Sequence, residues 1–184
     1  MVNEMKSSAQ NSLKIINEIF THIYTNALAM NNIAKQKLTE KSIECKFLYQ
    51  LHTSRLFILL SILIDQGDDN KANLLKVIRK LPYSNNSELK EHLEEIYNKY
   101  EDNGLFKEIK FRRDKVFAHI ESSLYNKVKV ADHSKEIFLK DWFIDLRTII
   151  NELNEAFEIP NDYRHENLLK SDFADFYQKI SNVI

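Results

Sequence analysis

The chain has 184 residues, of which 43% are hydrophobic and 29% charged, with a formal net charge of −1 and only 2 Gly and 2 Pro. So little Gly and Pro leaves almost no material for tight hairpin turns, which argues against sandwiches, barrels and glycine-rich phosphate loops. The near-neutral balance argues against coating nucleic acid through bulk charge, while leaving room for a local basic site.

The predicted elements are all helical. Leu13, Ile16, Phe20, Ile23 and Ala27 recur at three- and four-residue steps, which predicts a first amphipathic helix over about Ser8–Met30. A second stretch, about Ile33–Asp65, turns apolar nearly all round at Leu56–Ile64, as a central bundle helix does. Gln66-Gly67-Asp68-Asp69-Asn70 stops it, and Asn70 or Asp69 is the expected cap of a short helix, Ala72–Leu81, closed by Pro82. Ser84 to Ser87 offer caps for a charged helix over about Glu88–Glu101, terminated by Asp102-Asn103-Gly104. A further helix is expected from Leu105 to Tyr125, then a polar connection. Another follows from Ser134 to Glu158, with Ile137, Phe138, Trp142, Leu146, Ile149, Ile150 and Leu153 on its apolar side. Pro160 closes it before a last helix over about Tyr163–Ile180. No internal repeat and no long linker appears, so the expectation is a single all-α domain over 1–184, an antiparallel bundle of roughly six or seven helices with its core at about 8–158.

Cys45 is the lone cysteine, which fits a reduced buried thiol in a cytoplasmic protein. The opening residues lack the continuous apolar run of a signal peptide, and the uninterrupted runs at Leu56–Leu60 and Ile62–Ile64 fall well short of the roughly 20 residues that span a bilayer. No membrane association is expected. The acidic pairs Asp68/Asp69, Glu94/Glu95, Asp141/Asp145 and Glu152/Glu155 read as solvated helix faces or caps. His22, His52, His92, His133 and His165 are scattered without zinc-ligand spacing, so neither a metal nor any other cofactor is indicated.

The segment Leu105–Lys129 stands apart. Lys107, Lys110, Arg112, Arg113, Lys115, Lys127 and Lys129 face only Glu108, Asp114 and Glu121, a local excess of four positive charges suited to a phosphate backbone. On a helical wheel Leu105, Ile109, Val116, Ile120 and Leu124 form one apolar arc, and Arg113 projects inside it. A guanidinium there needs a buried acceptor, a wet cleft or a subunit interface. Arg112 and His119 lie about 20° apart beyond one edge of the arc.

Arg112-Arg113-Asp114-Lys115-Val116-Phe117-Ala118-His119 resembles the signature of HEPN domains, an Arg, four to six residues and a His, with a polar residue usually following the Arg. Arg113 with Asp114 behind it has five residues before His119, and Arg112, with six, also satisfies the spacing. Arg-Asp-Lys-x-x-Ala-His, together with the apolar stretch Ser54–Asp65 and the short Asn73–Ile78 helix before it, is similar to the AbiU-type abortive-infection branch. The likeness covers roughly Lys46 to Leu153.

The resemblance implies a metal-independent endoribonuclease toxin of phage defence or a toxin–antitoxin pair, cleaving RNA as a homodimer with both motifs in one cleft at the two-fold axis. It implies catalytic roles for Arg113, His119 and Asp114, with Arg112, Lys115 and Lys110 as RNA phosphate contacts. An antitoxin or defence-system partner is a further implication. Where some HEPN toxins carry a Tyr two residues beyond the His, the target of adenylylation, this chain has Glu121. The alternative is a non-catalytic HEPN-type module that binds RNA, nucleotides or another protein.

Overall fold

A computed structural model describes residues 2–118 and 134–160, together with residue 178; the side chains of 2–5, 83–85, 115–118 and 134–138 lie outside that description. Seven helices and no strand occur among the described residues: α1 Val2–Lys35, α2 Leu38–Lys41, α3 Ile43–Ile64, α4 Leu74–Arg79, α5 Tyr83–Asp102, α6 Leu105–Ala118 and α7 Ser134–Ala156. The fold class is all-α. The expected continuation of the motif helix to Tyr125, the polar connection after it and the expected helix at 163–180 fall outside the described residues.

The first break differs from the expected one. The chain stays helical through residues 31 and 32 and turns only at Lys37, which adopts the left-handed conformation with φ 52°. A second break follows at Ser42, in extended conformation. Its Oγ accepts from the amides of Glu44 and Cys45 at 3.2 and 3.3 Å, capping α3. One expected helix over 33–65 is thus the end of α1, the one-turn α2 and α3. The short helix α4 is capped by Asn73, whose side chain accepts from the Lys76 amide at 2.7 Å, and not by Asn70 or Asp69. Asn70 instead closes the end of α3. It donates to the carbonyls of Ile62 and Asp65 at 2.7 and 2.8 Å and accepts from the Ala72 amide at 2.9 Å. In α5 the backbone leaves helical geometry at Asn86 (φ −141°), so a first turn after Pro82 precedes the main helix.

The described chain separates into two compact units. The second takes in Glu18–Leu60. There Ala29, Ile33, Leu38 and the thiol of Cys45 are buried together, with Leu48 and Tyr49 packed against them. His52 Nδ1 lies 2.9 Å from Asn26 Oδ1, while Asn26 Nδ2 donates to the His22 carbonyl, which fixes the amide so that His52 donates. Burial, reinforced by the charge of Arg55, holds the His52 pKa below its usual value. By length and composition α3 could cross a membrane; Leu56, Phe57, Leu60, Leu63 and Ile64 are buried in the protein, while Ile43, Phe47 and Leu51 are exposed.

The first unit, Met1–Asn17 with Ser61–Pro160, carries the motif helix. In it α5 packs on α4, α6 and α7, and α6 also packs on α7. Its centre is aromatic. Phe106 of α6 meets Tyr97 of α5 at 4.8 Å between centroids and Trp142 of α7 at 5.1 Å, both edge to face. Tyr100 of α5 completes the group, 4.9 Å from Trp142. Tyr97, Tyr100 and Trp142 are fully buried, as are Leu146, Ile149, Ile150 and Leu153, the expected apolar side of α7. At the edge of this cluster Tyr100 Oη donates to Asp145 Oδ2 at 2.5 Å, and Lys99 Nζ reaches the same oxygen at 3.3 Å. A reciprocal amide pair, Asn17 with Asn154 at 2.9 and 3.1 Å, ties α1 to α7 within this unit.

Two residues separate α5 from α6, and Gly104 makes the reversal at φ +81°. An added Cβ would meet nothing there, so Gly104→Ala costs the backbone term alone, about 1 kcal/mol, and chemical denaturation should show that loss with an unchanged m-value.

Burial pushes the phenols of Tyr97 and Tyr100 well above the ordinary tyrosine range; the bond to Asp145 and the charges of Asp145 and Asp141 add to it at Tyr100, the charge of Glu101 at Tyr97. The folded chain therefore holds these protons more tightly than the unfolded one. Their contribution is complete below the unfolded pKa of about 10 and is lost as pH rises beyond it. Stability should fall steeply above about pH 10. Tyr100→Phe should cost about 1 kcal/mol at pH 8 and flatten that alkaline decline, as read by urea titrations across pH.

Candidate functional site

The site is carried by α6, whose phase is set by its first two turns. Leu105, Phe106 and Ile109 are buried at 3%, 4% and 0% exposure, which directs that face into the first unit. Asn103 Oδ1 accepts from the Leu105 amide at 3.0 Å, and the Gly104 carbonyl accepts from the Glu108 amide at 3.1 Å, so the helix starts from a fixed turn. At about 100° per residue, Arg112 and Arg113 fall on either side of the line running from Leu105 and Ile109. Both are accordingly half-buried, with side-chain exposures of 21% and 29%.

Each guanidinium meets a carboxylate of its own helix. Arg112 Nε donates to Glu108 Oε1 at 2.7 Å, one turn earlier, the favourable order for an acid–base pair along a helix. Arg113 donates from both Nε and Nη2 to Asp114 Oδ1, each at 2.8 Å. This is a convergence of two donors on one oxygen rather than a parallel fork, so the second oxygen of Asp114 is outside the pair. Asp114 is 65% exposed, and the pair therefore stands at the protein surface and not sealed in the core. The acceptor that an Arg on an apolar arc needs is thus supplied by the next residue in sequence.

Around this pair Lys110 is half-buried, and Phe111 is 54% exposed, an apolar side chain at the surface beside the two arginines. Of the other expected site residues, His119 lies outside the described residues and so does the side chain of Lys115. The structure therefore brings Arg112, Arg113, Asp114 and Lys110 onto one stretch of α6 and adds Glu108, a partner the sequence reading did not single out. The signal for Glu108 was present in its i, i+4 spacing to Arg112. Among the described residues no group of three or more His, Cys, Asp or Glu could hold a metal ion.

Chemically, two guanidiniums and an ammonium within about one helical turn are phosphate-binding groups. Asp114 takes two of the five N–H donors of Arg113 and limits the orientations of its plane, leaving the others for an anion. Such a surface pair contributes little to folding. Asp114→Ala should change unfolding free energy by less than about 0.5 kcal/mol in urea, whereas a drop of several kcal/mol would show that the pair is structural. Compared with protein-family models, with curated proteins and with solved structures, the chain matches none.

Proposed function

We propose that the chain is a metal-independent HEPN-type endoribonuclease, a toxin of phage defence or of a toxin–antitoxin pair, acting as a homodimer. The observation that carries this reading is the Arg113–Asp114 pair, surface-accessible on a helix fixed by its buried first turns, in a sequence where His119 follows five residues later. An RNA strand supplies its own nucleophile. In the proposed reaction His119 takes the proton of the 2′-hydroxyl as that oxygen attacks the adjacent phosphorus. The partner subunit's His119 gives a proton to the departing 5′-oxygen, so two copies of one residue serve the two transfers. Arg113 holds the phosphate and stabilises the charge that grows on its equatorial oxygens, with Asp114 as its positioning residue. Arg112, Lys110 and Lys115 contact neighbouring phosphates. The products are a 2′,3′-cyclic phosphate and a 5′-hydroxyl.

His119→Ala and Arg113→Ala should each lower RNA cleavage by at least about a hundredfold in the presence of EDTA, with the mass of the assembly unchanged by light scattering. Asp114→Ala should lower the rate less and raise KM for RNA. Undiminished cleavage in His119→Ala, a strict requirement for a divalent metal, or products ending in 3′-hydroxyl would each refute the mechanism. RNA bound without turnover by the unaltered chain would select the non-catalytic module instead.

A further inference from the structure

A second concave site lies in the first unit, on elements other than α6. The first helical turns of α1 after residue 6, the connection that follows α3, and α4 line an open cleft of about 640 Å³, within the size range of small-molecule sites. One wall is polar and uncharged, made by Ser7, Ser8, Asn11 and Ser12 of α1. The other carries three ammonium groups, Lys71, Lys76 and Lys80, and one carboxylate, Asp68.

The three lysines are not neutralised. Lys76 Nζ donates to the carbonyls of Gly67 and Asp68 at 2.6 and 3.0 Å, and Lys80 Nζ donates to Ser8 Oγ at 3.1 Å. None of the three forms an ion pair among the described residues, and Asp68 alone opposes them, which leaves an excess of two positive charges in one cleft. Elsewhere in the same unit Lys6, Arg79 and Lys99 each meet a carboxylate. Concentrated like charges disfavour the folded state unless an anion joins them.

The cleft is also built rather than incidental. Asn70 and Asn73 fasten the connection to the end of α3 through the Asp65 carbonyl, both at 2.8 Å, and Lys76 fastens its outer part. The lysine-bearing wall is thereby held by side-chain bonds rather than by surface loop contacts alone. Ser12, with only 7% exposure, lines the cleft from its buried side. Ile15, 38% exposed, gives the cleft a single apolar side chain at one end of the polar wall.

Hydroxyl and amide donors facing several ammonium groups form a recognition set for phosphate oxygens, and an adjoining aliphatic surface suits the planar or sugar part of a nucleotide. We propose that this cleft binds a small molecule bearing two or three phosphates, of nucleotide size, with Lys71 and Lys80 on the phosphates and Ile15 against the organic part. Its volume, about 640 Å³, suits a small molecule of nucleotide size. This site is independent of the reading of α6, and the two stand or fall separately.

Isothermal titration of the full chain at about 150 mM salt with pyrophosphate, ATP and adenosine, all metal-free, tests it. ATP and pyrophosphate should bind and adenosine should not. Lys71→Ala and Lys80→Ala should each weaken ATP binding about tenfold, with circular dichroism unchanged. Lys71 is exposed, so its variant is not confounded by folding. Ile15→Ala should weaken ATP and leave pyrophosphate unchanged, whereas equal binding of the two anions in the unaltered chain would assign recognition to the phosphates alone. Absence of binding at millimolar ATP, or binding indifferent to both lysine substitutions, would overturn the proposal. Displacement of ATP by a short single-stranded RNA that loses affinity in Lys71→Ala would make the cleft an RNA groove and reject the small-molecule assignment.

Discussion

The packing of Phe106 between Tyr97 and Trp142 is the contact on which the motif helix depends. Three helices contribute one or two rings each to a buried cluster, and edge-to-face geometry constrains orientation more strongly than aliphatic packing does. With Phe106 fixed, Leu105 and Ile109 are committed to the same interior, and the angular position of every later residue in α6 follows. The angular position of the arginines, and with it their half-burial, follows from a ring about two turns before them.

This arrangement resolves a conflict visible in the sequence. A guanidinium on an apolar arc is costly in isolation, yet Arg113 sits at the margin of the buried face with its acid next door. The side chain keeps part of its stem against the protein and its charged head toward solvent, as long cationic residues do. Charge and burial are thus reconciled within two adjacent residues.

Much of the fold was legible. The apolar periodicities of α1 and α7 gave their buried faces, and the stops at Gln66–Asn70, Pro82 and Gly104 were breakers with evident chemistry. The break at Lys37 was not legible, because lysine carries no signal for left-handed backbone and helical periodicity continues on both sides of it. Ser42 did present a capping residue followed by Glu44, but it lay within an apolar pattern that read as one helix. That Asn73, and not Asn70 or Asp69, caps α4 turned on which side chain reaches the α4 amides, a tertiary matter. At the candidate site the basic residues and Asp114 were readable from the motif, while the pairing of Arg113 with its neighbour rather than with a distant acid required the packed helix. The lysine cleft left no trace in local sequence, since its walls come from segments about 60 residues apart.

The turn at Gly104 has a bearing on which lengths of chain this architecture tolerates. The helix begins afresh at a point set by Asn103 and Gly104, so its register is counted from there. A residue inserted between Ile109 and Arg112 is another matter: it would swing the paired arginines about 100° around the axis and lift them about 1.5 Å along it. Arg112 would then take the angular place that Arg113 holds, and Arg113 would turn to the side away from the packed face. In related chains, gaps and insertions should therefore be absent from the three turns after Gly104, so that interval length is a sharper mark of descent here than residue identity.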